Sequence, residues 1–268
     1  LFRHLWIVLF LSSSFVVALD DTLSAGRTRM LSWFGVSDGA NYFDFLEMDN
    51  PILLDGSSAD FEKSTLLFEY QYGWRPEMTL VFRTAHETHT LKAQQTVETD
   101  GISGYYVGLR QRLNRRGTAT RLLAETGMRY NEKGGDSLPL SSDGIDWYAI
   151  ASYNQDFLKG GGFEMDFGYR FRGGDPADEV FFDTSFAFGL RSVFLLELSY
   201  HVVESQKENK VAYDYLDYAS ERGFQTGGIE LKRNLGKSWE LGLGYEDMFR
   251  GRNSFQTSGW RLSLAWWK

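Results

Sequence analysis

The sequence predicts an all-β fold, a closed antiparallel barrel of twelve strands that crosses a membrane. Three observations carry that reading. The first is a period-two alternation that recurs along most of the chain. In its last residues Trp260, Leu262, Leu264 and Trp266 fall on one face and Arg261, Ser263 and Ala265 on the other. Successive side chains of a strand point to opposite sides, so such a row offers one face to lipid and the other to a lumen. The second is the order of the connections, which are alternately short and long. A barrel threaded into an outer membrane has short periplasmic turns and longer outward loops, whereas a soluble sandwich has no reason to sort them. The third is composition: 16% aromatic residues, 28 Gly, 4 Pro and no Cys among 268 residues suit many strands joined by turns and provide no disulfide framework.

Taken in order, residues 1–18 have Arg3 and His4, an apolar run and a small-residue site ending at Ala18, which reads as a secretory signal peptide too short to span as a helix. Residues 19–38 are expected to form an N-terminal periplasmic or lumenal segment, in which Trp33 and Phe34 are candidates for a plug. Residues 39–268 are expected to be the barrel. Alternating runs lie near 61–72, 76–88, 103–114, 118–131, 145–156, 162–173, 179–190, 192–204, 223–234, 238–249 and 257–267. Tight turns fall at 73–76, 114–117, 157–160, around 191 and at 235–238, with longer polar links at 89–102, 132–144, 174–178, 205–222 and 250–256. An even strand number with both ends periplasmic requires one more strand before residue 61, for which 41–48 is the candidate.

Charge placement follows the same parity. Phe163, Met165, Phe167, Tyr169 and Phe171 oppose Glu164, Asp166, Arg170 and Arg172, and Trp239, Leu241, Leu243 and Tyr245 oppose Glu240 and Glu246. An Arg or Lys facing lipid at the midplane costs about 2–4 kcal/mol, so the charged faces point inward. The candidates for the pore lining are Arg83, Arg110, Arg112, Arg121, Glu125, Arg129, Glu164, Asp166, Arg170, Arg172, Asp183 and Glu246. Of these, Arg110, Arg112, Arg170 and Arg172 are expected to set any ion preference, because arginine stays charged at physiological pH. Mixed signs in so small an interior also suit a salt-bridged lumen.

The formal charge of −8 argues against nucleic acid as a partner. His86 and His89 are three residues apart and so face opposite sides of a strand, which disfavours a shared metal. His201 near Ser199 is a spacing without a catalytic signature. The acidic stretches 173–179 and 214–221 match no calcium-loop pattern. No catalytic residue, metal or cofactor is assigned, and the chain is not read as an enzyme.

The hairpin Leu66-Leu-Phe-Glu-Tyr-Gln-Tyr-Gly-Trp-Arg-Pro-Glu-Met-Thr-Leu-Val-Phe82, together with the last strand, resembles Gram-negative outer-membrane β-barrels. Within them it is similar to the small porin-like transporters named for a meta-pathway of phenol degradation. The resemblance implies a Gram-negative outer membrane with its lipid and lipopolysaccharide, insertion by the barrel-assembly machinery, and passive diffusion of small solutes, hydrophobic or aromatic ones among them. Lys268 stands where an aromatic residue normally ends such a chain, and Trp266 or Trp267 takes that role. The alternatives are a closed structural or adhesion barrel and a rim hydrolase built on His201.

Overall fold

The computed structural model describes residues 22–43, 49–54, 57–132, 144–157, 161–173, 178–191, 194–206, 223–236, 238–252 and 254–268. Twelve long strands make up the wall: β1 (Thr28–Phe43), β2 (Asp60–Arg75), β3 (Met78–Lys92), β4 (Thr96–Arg112), β5 (Thr120–Asn131), β6 (Gly144–Asp156), β7 (Gly162–Phe171), β8 (Glu179–Arg191), β9 (Phe194–Ser205), β10 (Gly223–Asn234), β11 (Trp239–Arg252) and β12 (Ser254–Trp267). Each pairs antiparallel with the next, and β12 returns to β1, from Arg29 opposite Trp267 to Phe43 opposite Ser254. Closure removes the unpaired edges that lipid cannot hydrate. A short strand, Asp49–Pro51, adds to the outer end of β1.

The outward face is apolar around the circumference. Phe34, Leu66, Leu80, Val107, Met128, Phe167, Leu198, Ile229, Leu243 and Leu262 are all exposed there. Aromatic side chains cluster toward the two ends: Tyr70, Tyr72, Trp74 and Trp239 near the short turns, and Tyr105, Tyr130 and Trp147 near the long loops. A lipid-facing band flanked by such girdles is how a barrel meets the two bilayer interfaces. On the inner face, glycine lets rings lie flat on the wall. Gly108 and Gly127 sit under the ring of Tyr106, and Gly168 sits under that of Phe181, where any Cβ would collide with the ring.

Three expectations change. Residues 28–38 are not a free N-terminal segment but most of β1, hydrogen-bonded to both β12 and β2. Their alternation is weak because both faces of this strand carry apolar residues, and it is the unpaired edges of β2 and β12 that recruit it. Trp33 and Phe34 therefore cannot plug together: Trp33 points inward at 7% exposure against Leu67 and Ala85, and Phe34 points to lipid at 42%. Of the candidate strand 41–48, only 41–43 belong to β1, and 44–48 lie outside the described residues. The signal-peptide reading of 1–18 also falls outside them.

The links at 89–102 and 250–256 are shorter than the hydropathy suggested. β3 and β4 continue to Lys92 and from Thr96, and β11 and β12 come within one residue of each other. Beyond the lipid belt the outward side chains turn polar, so alternation fades while the ladder continues. Thr88 donates to Asp100 at 2.6 Å on that outer hairpin, and Lys92 meets Glu62 at 2.5 Å.

Placing Phe34 on the lipid face has a measurable consequence. Phe34→Arg is expected to lower the unfolding free energy in lipid vesicles by about 2–4 kcal/mol in a urea titration. A loss below about 1 kcal/mol would put this side chain away from the bilayer core.

Candidate functional site: the barrel lumen

Parity sends long charged side chains from β2 to β6 into the interior, where they are fully enclosed. Glu125 on β5 is the hub. It meets Arg83 at 3.1 Å, accepts from Arg110 Nε at 3.0 Å, and accepts from the Tyr106 hydroxyl at 2.6 Å. Arg83 also binds Glu69, whose other oxygen accepts from Gln71 at 2.5 Å, and its guanidinium lies 4.7 Å above the Tyr106 ring. Glu69, Glu125 and Arg110 are each 0% exposed. Charges removed from water this completely persist only when paired and hydrogen-bonded.

A second network lies near the long-loop end. Asp146 on β6 accepts from Arg170 Nε at 2.8 Å and from Asn131 at 2.7 Å, while Glu179 on β8 takes Arg170 at 2.9 Å and Arg172 at 3.1 Å. A third joins β9, β10 and β12: Lys232 reaches Glu197 at 2.6 Å, and Glu230 binds Arg261 and accepts from Ser263 at 2.6 Å. Deeper in the outer half, Lys63 meets Glu87 at 2.9 Å beside His89.

An open space of about 820 Å³ remains at the short-turn end, bordered by Arg29, Gln71, Arg121, Asn154, Glu164, Glu197, Lys232 and Glu240. Residues 22–24 lie at its mouth. The Leu23 amide donates to Thr79 Oγ1 at 2.8 Å, and Arg116 on the β4–β5 turn donates to the Leu23 carbonyl at 3.2 Å. The inward residues of β8, β9 and β10 nearby are short or half-buried, among them Ser185, Ala187, Ser199 and Gly228. The lumen is thus packed along β2–β6 and roomier along β8–β10.

Of the twelve candidates, only Arg121 and Glu164 border this space. Arg121 meets Asp156 at 2.6 Å. Arg83, Arg110 and Glu125 form the first network, and Arg170 and Arg172 belong to the second. Arg112 clamps the β4–β5 turn through Asn114, Thr118 and the Arg115 carbonyl, each at 3.3 Å. Arg129 donates to the Ser103 carbonyl at 3.1 Å. Asp166 is buried, Asp183 holds His201 Nδ1, and Glu246 is half-buried on β11. The four arginines expected to set ion preference are each held by neighbouring carboxylates or turn oxygens, and none of them borders the open space.

Sequence reasoning missed two features. Asp146, Glu179 and Gln71 complete the networks, and their signal was parity alone. More important, inward-facing Val81, Tyr106, Leu123, Tyr148, Ile150, Phe181, Val203, Phe224 and Met248 form one apolar cluster. Each occupies a polar-face position of its strand, so alternation hid it. A further apolar cluster of Ile52, Ala59, Phe61, Leu91 and Phe255 lies near the long-loop end, with the Phe61 and Phe255 rings stacked at 4.1 Å. Of the histidines, His86 is exposed beside Asp100, His89 is buried on Glu87, and His201 lies 5.4 Å from the Phe224 ring. Among the described residues no three His, Asp or Glu come together as a metal site.

The networks and the rim pairs differ in what they contribute. Glu125→Leu removes the buried carboxylate that Arg83 and Arg110 share and is expected to cost about 3–5 kcal/mol in thermal unfolding. Arg121→Gln breaks a half-exposed pair, and its cost should stay below about 1 kcal/mol.

No protein-family model and no curated protein matches the chain. Solved structures do. The outer membrane channel of Pseudomonas putida F1 superposes with a TM-score of 0.69 at 9% identity, over 92% of this chain and 97% of that one. The NanC porin gives 0.54 at 10% identity over 88% and 98%, and the TodX deltaS2S3 mutant monoaromatic hydrocarbon channel gives 0.51 at 10% over 92% and 91%. At such identities the fold is what is shared: a closed antiparallel β-barrel of the kind these outer-membrane channels have.

Proposed function

We propose that this chain is a passive channel of a Gram-negative outer membrane for small solutes that have an apolar or aromatic part. The observation that carries the reading is the lumen, which holds a space of about 820 Å³ lined by both charged and apolar side chains, inside a barrel with a lipid belt. Charged groups keep the space wet, and Ala187, Leu195 and Trp267 in its lining give it an apolar side for a ring or short chain. The similarity to a monoaromatic hydrocarbon channel supports the same solute class. In this reading the short turns face the periplasm and the long loops face outward. Lipopolysaccharide and phospholipid surround the belt, and the assembly machinery engages β12 with Trp266 as its terminal lipid-facing aromatic. Transport, not chemistry, is the activity.

The enclosed Glu69–Arg83–Glu125–Arg110 network is the observation that favours a closed structural barrel instead. Planar-bilayer recording separates the two. Discrete unitary currents that a small aromatic solute reduces are expected, and a silent bilayer with folded protein would leave the closed barrel. Ion preference should follow the groups at the open space. Glu164→Gln with Glu240→Gln is expected to move the reversal potential in a salt gradient toward anions, and Arg112→Gln is expected to leave it in place.

A further inference from the structure

We propose that the short-turn end of the β12–β1 seam is a binding site for an anionic phospholipid headgroup. Met30 on β1 lies between Tyr70 of β2 and Trp266 of β12, so both aromatic rings are on the lipid side at the end of the belt. Immediately beyond them, Thr28 and Lys268 exchange backbone hydrogen bonds of 3.1 and 3.0 Å, which puts the Lys268 side chain on the same outward face. Arg27 precedes Thr28. Together Arg27, Lys268, Tyr70, Trp266 and the turn at Ala25–Gly26 border a recess of about 620 Å³, and the two cations stand at the rim where this recess meets the lumenal space, whose lining they share. Neither cation meets a carboxylate side chain among the described residues, and Arg75 adds a third charge next along the rim, resting 5.0 Å over Trp74.

This order of groups matches a lipid read from tail to head. Aromatic rings sit at the level of the glycerol and ester groups, and cations one residue farther out reach the phosphate. Arg27 can grip phosphate oxygens through two parallel N–H donors, with Lys268 as a point charge beside it. A headgroup with net negative charge gains from both cations, whereas a zwitterionic headgroup brings its own ammonium against them. The site rests on the membrane-spanning belt and not on the solute proposed for the lumen.

Native mass spectrometry of the detergent-solubilised full chain, titrated with phosphatidylglycerol or phosphatidylethanolamine, tests the site. Phosphatidylglycerol is expected to be retained in preference, and the double variant Arg27→Gln with Lys268→Gln is expected to weaken that binding about thirtyfold. The matched variant Arg115→Gln with Arg233→Gln, which removes the same charge elsewhere on the rim, should retain it. Equal retention of the two lipids, equal weakening by both double variants, or full displacement by millimolar inorganic phosphate would each overturn the proposal. Both variants are checked for folding by heat-modifiable electrophoretic migration, and the channel reading is judged on the currents of the unmodified chain alone, because Arg27 and Lys268 also line the lumenal space.

Discussion

Backbone hydrogen bonding in lipid is the constraint on which the rest of this structure depends. An unpaired amide or carbonyl in the hydrocarbon core costs several kcal/mol, so a sheet can cross a bilayer only if it has no edge. The β12–β1 ladder meets that demand, running from Arg29 opposite Trp267 to Phe43 opposite Ser254. Once the ring is closed, every strand has an inner and an outer face. The side-chain pattern of the whole wall then follows from parity.

Closure also decides what the interior must tolerate. A ring of this size encloses little more than its own side chains. Arg83, Arg110, Glu69 and Glu125 are therefore pressed together out of water and paired with one another. Glycines at 108, 127 and 168 give Tyr106 and Phe181 room to lie against the wall. Bulk accumulates on the β2–β6 side, and the shorter residues of β8–β10 leave the space that borders Arg121, Glu164 and Lys232. The lumen is thus shaped by where large and small inward residues fall around the ring as much as by charge.

The same seam that closes the barrel organises its short-turn rim. Residues 22–24 lean over the mouth on Thr79 and Arg116, while at the edge of that seam Arg27 and Lys268 stand between the lumenal space and the recess that Tyr70 and Trp266 border. One backbone junction therefore positions groups that face water on one side and lipid headgroups on the other. Its strength comes from paired strands on either side of β1 and not from local propensity.

By itself the sequence determined the class: period-two alternation, paired with the cost of charge in lipid, leaves a transmembrane barrel as the economical arrangement for runs such as 162–173 and 257–267. It also determined which face of each such run turns inward, because parity is a local property of a strand. Tertiary structure decided what parity cannot reach. The weakly alternating stretch 28–38 became β1 because two edges needed a partner, and Phe34 went to lipid for that reason. Arg110, Arg112, Arg170 and Arg172 found their partners because Glu125, the β4–β5 turn, Asp146 and Glu179 stand beside them in space. The apolar patch from Val81 to Met248 exists only when nine residues from eight strands meet. Alternation reports which way a side chain points, and only the closed ring reports what it meets there.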